Sequence, residues 1–374
     1  MCGMKRIKFI DLSFPTKRIK KEFLSRVSAF LDRANFILTD EVAEFENAFA
    51  RFVGVRHCVG VSSGADALWL SLRALGIGSG DEVITQGNAY NAIVTAILRA
   101  GAVPRFADID PQTLLIDPAK IELLITKRTV AILPVHLYGQ VSNMDAVMRI
   151  ARKHKLFVIE DSAQAHGATW RGRQAGSFGD ASAWSFYPTK NLGAFGDAGA
   201  VTTRHKNIAD TIKILRNLGQ TSKNNHTHLG FNMRLDAIQA IALNLKLKYL
   251  PAATKKRQNA ARNYDQLIKK LYLPIQPVSV HPRATHVYHL YVVQYANRDA
   301  LRKALAKRGI ETAVHYPVIP YRQPFYPKRL RKDRCPIAEQ MARSILSLPL
   351  HEGITKKEQI CVIDSLKEAC ISNA

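Results

Sequence analysis

Between Val59 and Thr203 the chain alternates short apolar runs with amphipathic helical patterns, and this alternation constrains the fold more than any other feature. Runs ending at Val61 and spanning 81–85, 103–107, 130–135, 156–159, 183–186 and 196–203 read as strands, and helical patterns at 65–75, 118–125 and 144–154 separate several of them. Strands joined through helices need long crossovers. The expected class is therefore α/β, a mostly parallel sheet flanked by helices, with ligands bound beyond the strand carboxyl ends. Two helical patterns precede the sheet: Phe23, Val27, Phe30 and Leu31 share one face, as do Val42, Phe45, Phe49 and Phe52 after the capping candidates Thr39 and Asp40. A helix carrying Leu235, Ile238, Ala242, Leu245 and Tyr249 ends at Pro251, which we take as the hinge between a large domain, 1–250, and a smaller C-terminal α+β domain, 251–374. In the latter, 287–295, 312–315 and 347–350 read as strands, and Thr355-x-x-Glu358 as the capping box of a last helix.

The stretch 156–199 concentrates chemistry at such strand ends. Its first run delivers Asp161, with Gln164 three residues on, and its second ends in a loop carrying Ser185 and Lys190. An amine for a Schiff base, a carboxylate to keep a pyridine nitrogen protonated and donors for a phosphate are what pyridoxal 5'-phosphate requires. Lys190 and Asp161 are the catalytic candidates. Upstream, the run to Val61, the turn Ser62-Ser63-Gly64 and the helix from Ala65 aim free backbone N–H groups and the positive end of a helix dipole at one place, so Gly64 and Ala65 are candidate phosphate-binding residues. The glycines of 76–80 precede a strand and do not spell G-x-G-x-x-G, which rejects a dinucleotide fingerprint.

With Glu160–Gly167 reading E-D-x-A-Q-x-H-G and Ser185–Asn191 reading S-F-x-x-x-K-N, the chain resembles the DegT/DnrJ/EryC1/StrS family of sugar aminotransferases, over roughly residues 8 to 370. The resemblance implies a fold-type I pyridoxal phosphate enzyme that aminates a nucleotide-linked keto sugar, with glutamate as the amino donor. It also implies roles for particular residues. Tyr90, in register with the downstream 100–104 segment, stacks on the pyridine ring; Gln164 bonds the ring oxygen; Ser185 and the Gly64 and Ala65 amides hold the phosphate. Asn232 would reach the phosphate site of a partner subunit, so the expected assembly is a homodimer with shared active sites. The local Gly87-Asn88-Ala89-Tyr90 looks closer to members acting on 3-keto than on 4-keto sugars. Three departures stand out: Ala65 where many members have threonine, Gln86-Gly87-Asn88 in place of a proline-containing turn, and a basic C-terminal third.

That basic character is marked. The chain carries 54 Lys and Arg against 30 Asp and Glu, a net charge of +24, and residues after 250 hold 22 of the basic and 9 of the acidic groups. Clusters at 255–262, 302–308 and 322–334 are the densest. No helix-turn-helix, zinc-finger or RNA-recognition signature accompanies them, so nucleic acid is not an expected partner. Five scattered cysteines without a C-x-x-C pair imply neither a disulfide framework nor zinc, and His226 and His228 lack acidic or cysteine neighbours, so no metal is expected. Residues 1–14 hold no long apolar region and no run reaches membrane-span length, which makes the cytoplasm the default. Two alternatives remain: a sugar 3-dehydratase of the same family, which would have histidine where Lys190 stands, and a non-catalytic sensor or regulator on this scaffold using its basic surface.

Overall fold

The computed structural model describes residues 6–372; Cys2 lies outside them. Seven strands form the central sheet in the order His57–Val61, Gly199–Thr203, Ala181–Ser185, Phe157–Asp161, Thr129–Leu133, Glu82–Gln86 and Val103–Ala107. Gly199–Thr203 pairs antiparallel with both of its neighbours, and every other adjacent pair is parallel. The strands are almost wholly buried because helices cover both faces. On one face the helices Gly64–Ala74 and Asn91–Arg99 pack with Val59, Val83 and Ile159. On the other, Asp40–Val53, Met144–His154 and Ala237–Leu247 pack with Ile84, Ile132 and Val158.

Helix ends follow local chemistry. Asn143 caps Met144–His154 by accepting from the Ala146 N–H at 3.2 Å. The Thr355/Glu358 box forms in both directions: Glu358 N–H donates to Thr355 Oγ1 at 3.2 Å, and Thr355 N–H to Glu358 Oε2 at 2.7 Å. On the first helix's apolar face, expected to serve as core or dimer contact, Phe30 is buried and Leu31 is 53% exposed.

A second, antiparallel sheet of Gln276–Pro277, Tyr291–Gln294 and Ile345–Leu348 lies in the C-terminal third. It differs from the sequence expectation at all three strands: the one expected at 347–350 runs Ile345–Leu348, and the other two depart further. Residues 286–290 pair with the loop after Thr129–Leu133, Val287 N–H donating to Gly139 at 2.9 Å and Leu290 N–H to Tyr138 at 3.2 Å, so the strand begins only at Tyr291. Residues 312–315 touch the sheet through the single Ala313–Ser347 bridge, because the chain turns there to carry Tyr316 into the cleft described below.

Residues after 250 contribute to both sheets' cores. Ile275, Val293, Leu346 and Leu366 pack around the small sheet together with Ile7, whereas Ile319, Tyr321, Tyr326 and Ala338 pack against the large one. The segment 317–335 runs along the edge strand Val103–Ala107, where Asp333 accepts from Arg105 Nη2 at 2.9 Å and from the Phe106 N–H at 2.9 Å. That cover protects an otherwise open sheet edge. At its end Cys335 lies so close to the loop carrying Tyr90 that a Cβ on Gly87 would sit 2.6 Å from the Cys335 sulfur. This contact accounts for glycine in the unusual 86–88 turn.

Candidate active site

Three strand ends converge on the helix that starts at Gly64. Its first intrahelical bond runs from Ala67 N–H to Ser63 C=O at 2.9 Å, so the Gly64 and Ala65 amides precede any helical acceptor. Asp66 organises the turn. It accepts from Ser62 Oγ at 2.6 Å and Ser63 Oγ at 3.0 Å, while Arg99 donates to its other oxygen at 3.0 Å. The sequence reading passed over this residue, although its place three after Ser63 is a capping-box signal. A Cβ added to Gly64 would stand 2.6 Å from Ser185 Cβ and 3.1 Å from Ser185 Oγ, so the helix start and Ser185 meet only because residue 64 is glycine. Free amides, a hydroxyl and a helix dipole therefore share one small space.

Asp161 ends the strand Phe157–Asp161 and is buried. Burial pushes its carboxyl upward, opposed by the Ala163 N–H bonded to Oδ1 at 3.0 Å and by the charge of Lys190. Lys190 projects from a tight loop. Lys190 N–H donates to Tyr187 C=O at 2.8 Å, Ala194 N–H to Phe186 C=O at 2.7 Å, and a Cβ on Gly193 would meet the Pro188 oxygen at 2.3 Å. Two side-chain bonds tie this loop to its surroundings: Lys246 donates to Gly193 C=O at 2.6 Å and the loop's own Asn191 to Val287 C=O at 3.0 Å. Burial lowers the Lys190 amine to about 8, with Asp161 pulling the other way. An amine so placed has a much larger neutral, nucleophilic fraction near neutral pH than a solvated lysine.

Gln164 is buried and doubly engaged, its Oε1 accepting from Tyr138 N–H at 2.7 Å and its Nε2 donating to the Tyr316 hydroxyl at 3.2 Å. Tyr316 in turn faces Tyr90, ring centroids 5.1 Å apart and tilted by 36°, and Tyr90 is half exposed. The sequence analysis does not single out Tyr316. Nothing local marks it, since it arrives from 152 residues beyond Gln164. Asn232 is exposed, its Oδ1 accepting from Arg234 Nε at 3.0 Å; within one chain it is not gathered with Lys190.

His136 takes a supporting place. Its Nδ1 accepts from Ser142 N–H at 3.2 Å, which leaves Nε2 to donate to Glu160 at 2.9 Å. Glu160 also accepts the N–H groups of Gly176, Phe178 and Gly179 at 2.8–2.9 Å. Burial alone would raise this carboxyl, but the His136 bond and the Gly179 and Gly176 amides outweigh it and hold it below the usual range.

Tested against pyridoxal phosphate, the arrangement fits: an amine of lowered basicity, a buried carboxylate suited to a cationic ring nitrogen, and an anion cradle that only glycine permits. Fold and site together define the fold-type I class of pyridoxal-phosphate-dependent transferases. Residues 17–367 match the DegT/DnrJ/EryC1/StrS aminotransferase family, and the chain belongs to it. It is 39% identical over 365 residues to a "Pleiotropic regulatory protein" of Geobacillus stearothermophilus, covering 97% of this chain and 98% of that one. It is 40% identical over 364 residues to the dTDP-3-amino-3,4,6-trideoxy-alpha-D-glucose transaminase of Streptomyces venezuelae, covering 97% and 96%. Among solved structures, S. venezuelae DesV in complex with a ketimine intermediate superposes with a TM-score of 0.93 at 39% identity, over 98% of each chain.

Proposed function

We propose that this protein is a pyridoxal-phosphate-dependent aminotransferase that moves an amino group from glutamate to the C3 ketone of a nucleotide-linked deoxysugar. The observation that carries the reading is the Lys190 amine, lowered to about 8 by burial and interacting electrostatically with the buried Asp161, on a chain whose Gly64 helix start meets Ser185. The preference for C3 is supported by the Gly87-Asn88-Ala89-Tyr90 loop and by the 3-amino product in the name of the Streptomyces relative. Lys190 at this position argues against a 3-dehydratase.

When bound, the cofactor supplies an electron sink and a carrier for the amino group. Lys190 would hold it, and its amine is placed to serve as the general base that takes a proton from the donor's α-carbon and the general acid that returns one. Asp161 would supply a carboxylate to the ring nitrogen, the Gly64 and Ala65 amides and Ser185 would hold the phosphate, and Tyr90 and Gln164 would hold the ring. Donor and sugar use one site in turn, so the kinetics are ping-pong.

The assembly is a homodimer in which Asn232 of one subunit completes the phosphate site of the other. Its support is that the first helix and the turn after it leave Leu24, Leu31, Phe36 and Ile37 between 47% and 55% exposed, an apolar face that a second copy would cover. Among the described residues no helix is long and apolar enough to cross a membrane, and the proposed setting is the cytoplasm.

An absorbance spectrum tests the activity. The wild type loaded with pyridoxal phosphate should show a band near roughly 410–430 nm that moves to about 330 nm with glutamate. Candidate 3-keto and 4-keto sugar nucleotides should then differ in restoring it, while Lys190→Ala turns nothing over. Absence of the first band would move the regulatory reading forward, which the name of the Geobacillus relative favours; a DNA mobility shift lost at high salt would be its signature.

A further inference from the structure

We propose that a cavity on the large domain, separate from the Lys190 cleft, is a binding site for an anion bearing a diphosphate group. The cavity measures about 360 Å³ and lies between the helix Met144–His154, the hairpin of Thr169–Trp170 and Arg173–Gln174, and Arg204. Arg152, Arg171, Arg173 and Arg204 line it against one carboxylate, Asp145. That carboxylate is already shared by Arg171 at 2.8 Å and Arg283 at 3.6 Å. Arg152, Arg173 and Arg204 therefore face the cavity without a counter-charge among the described residues.

Such a concentration of like charge is unfavourable unless something holds it, and here the backbone does. Arg173 donates to Ser177 C=O at 2.8 Å and lies over the Phe178 ring at 4.3 Å, and Arg204 donates to Phe178 C=O at 3.0 Å. The same loop turns its N–H groups inward: Gly176, Phe178 and Gly179 all donate to Glu160. Inward amides on a buried carboxylate and outward carbonyls on two guanidinium groups make the loop a rigid mount. Each guanidinium spends one N–H on a carbonyl and keeps other donors for a ligand.

Planar donor forks at fixed positions suit tetrahedral phosphate oxygens, and three uncompensated cations match the two to three negative charges of a diphosphate. The chemistry is shared by free inorganic diphosphate and by the nucleoside diphosphates that nucleotide sugars contain. Glu160 and Asp161 are consecutive strand residues and face opposite sides of the sheet, so the arginine mount lies behind the site that Asp161 serves. The inference does not depend on the amino-transfer reading.

Calorimetric titration of the cofactor-loaded dimer with inorganic diphosphate, and separately with UDP, tests it; loading fills the phosphate cradle at Gly64. Wild type should bind diphosphate, with affinity falling as salt rises from 50 to 300 mM. The double variant Arg173→Gln/Arg204→Gln should weaken that binding about tenfold or more. Arg152→Gln, which breaks no bond within the protein, should weaken it severalfold with melting temperature and the steady-state KM for sugar nucleotide unchanged. Binding of UDP that is tighter than that of diphosphate and is weakened by Arg173→Gln/Arg204→Gln would make a nucleotide the natural ligand, and equal binding weakened in the same way would make it free diphosphate. The proposal is overturned if wild type binds neither probe, or if Arg152→Gln binds diphosphate as wild type does.

Discussion

Gly64→Ala probes the cradle through one atom. The added Cβ would lie 2.6 Å from Ser185 Cβ and 3.1 Å from Ser185 Cα, neither of which is the end of a flexible chain. Ordinary carbon contacts are about 3.5–4.0 Å, so the helix start and the strand end must part by about 1 Å. Overpacking of this size costs roughly 1–3 kcal/mol, offset in part by the roughly 1 kcal/mol that alanine gains over glycine in a helix. The fold should therefore survive with a melting temperature only a few degrees lower. The cradle should not, because a phosphate centred on bonds of about 2.9 Å to both Ser185 and the Gly64 and Ala65 amides cannot keep both once they separate by about 1 Å. Loss of one charge-assisted bond, about 1.5–3 kcal/mol, loosens pyridoxal phosphate about 10- to 100-fold. Absorbance titration of the cofactor-free protein measures that constant directly, with Ala65→Thr as a control that keeps both amides and changes it little. A Gly64→Ala protein that binds the cofactor within about twofold of wild type would refute the reasoning, since the Gly64–Ser185 contact would then not set the cradle.

Three further outcomes are expected. Burial disfavours the charged form of Lys190, so in the cofactor-free protein the rate of Schiff-base formation should rise with pH through about 8; a midpoint near that of a solvated lysine, about 10.4, would contradict the burial argument. Glu160→Gln removes a charge that accepts three amides and the His136 ring, and should cost roughly 2–4 kcal/mol by thermal denaturation. Because the folded Glu160 carboxyl is held low, its contribution is fully present above the ordinary carboxylate value of 4.5 and is lost as pH falls through the folded value; the variant's acid unfolding should lack that component. Co-expression of Lys190→Ala with Asn232→Ala chains, each inactive alone, should restore about a quarter of wild-type activity: random pairing makes about half of the dimers mixed, with one intact site each. No recovery would place Asn232 outside the partner's site.

The parts of this protein legible in its sequence are those set by local periodicity and short spacing. Buried parallel strands must be apolar throughout and their intervening helices amphipathic, so the alternation announced the sheet, and strand ends brought Asp161, Ser185 and Lys190 into view with it. Cap chemistry is equally local, as the Thr355/Glu358 box shows. What only the tertiary structure decided depends on approach between distant segments, which leaves no periodic mark. Gly64 looked like a turn residue, yet it is required because Ser185 lies against it; Gly87 is required because Cys335 does. Tyr316 enters the cleft from the far side of the chain to meet Gln164 and Tyr90, and residues 286–290 leave the strand pattern to bond the loop at Tyr138–Gln140. The arginine mount at 173 and 204 is of the same kind, because a buried glutamate turns one loop so that its carbonyls face outward. Apolar burial and capping act over a few residues and can be read in order; steric exclusion and side-chain hydrogen bonds act between whichever atoms the fold brings together.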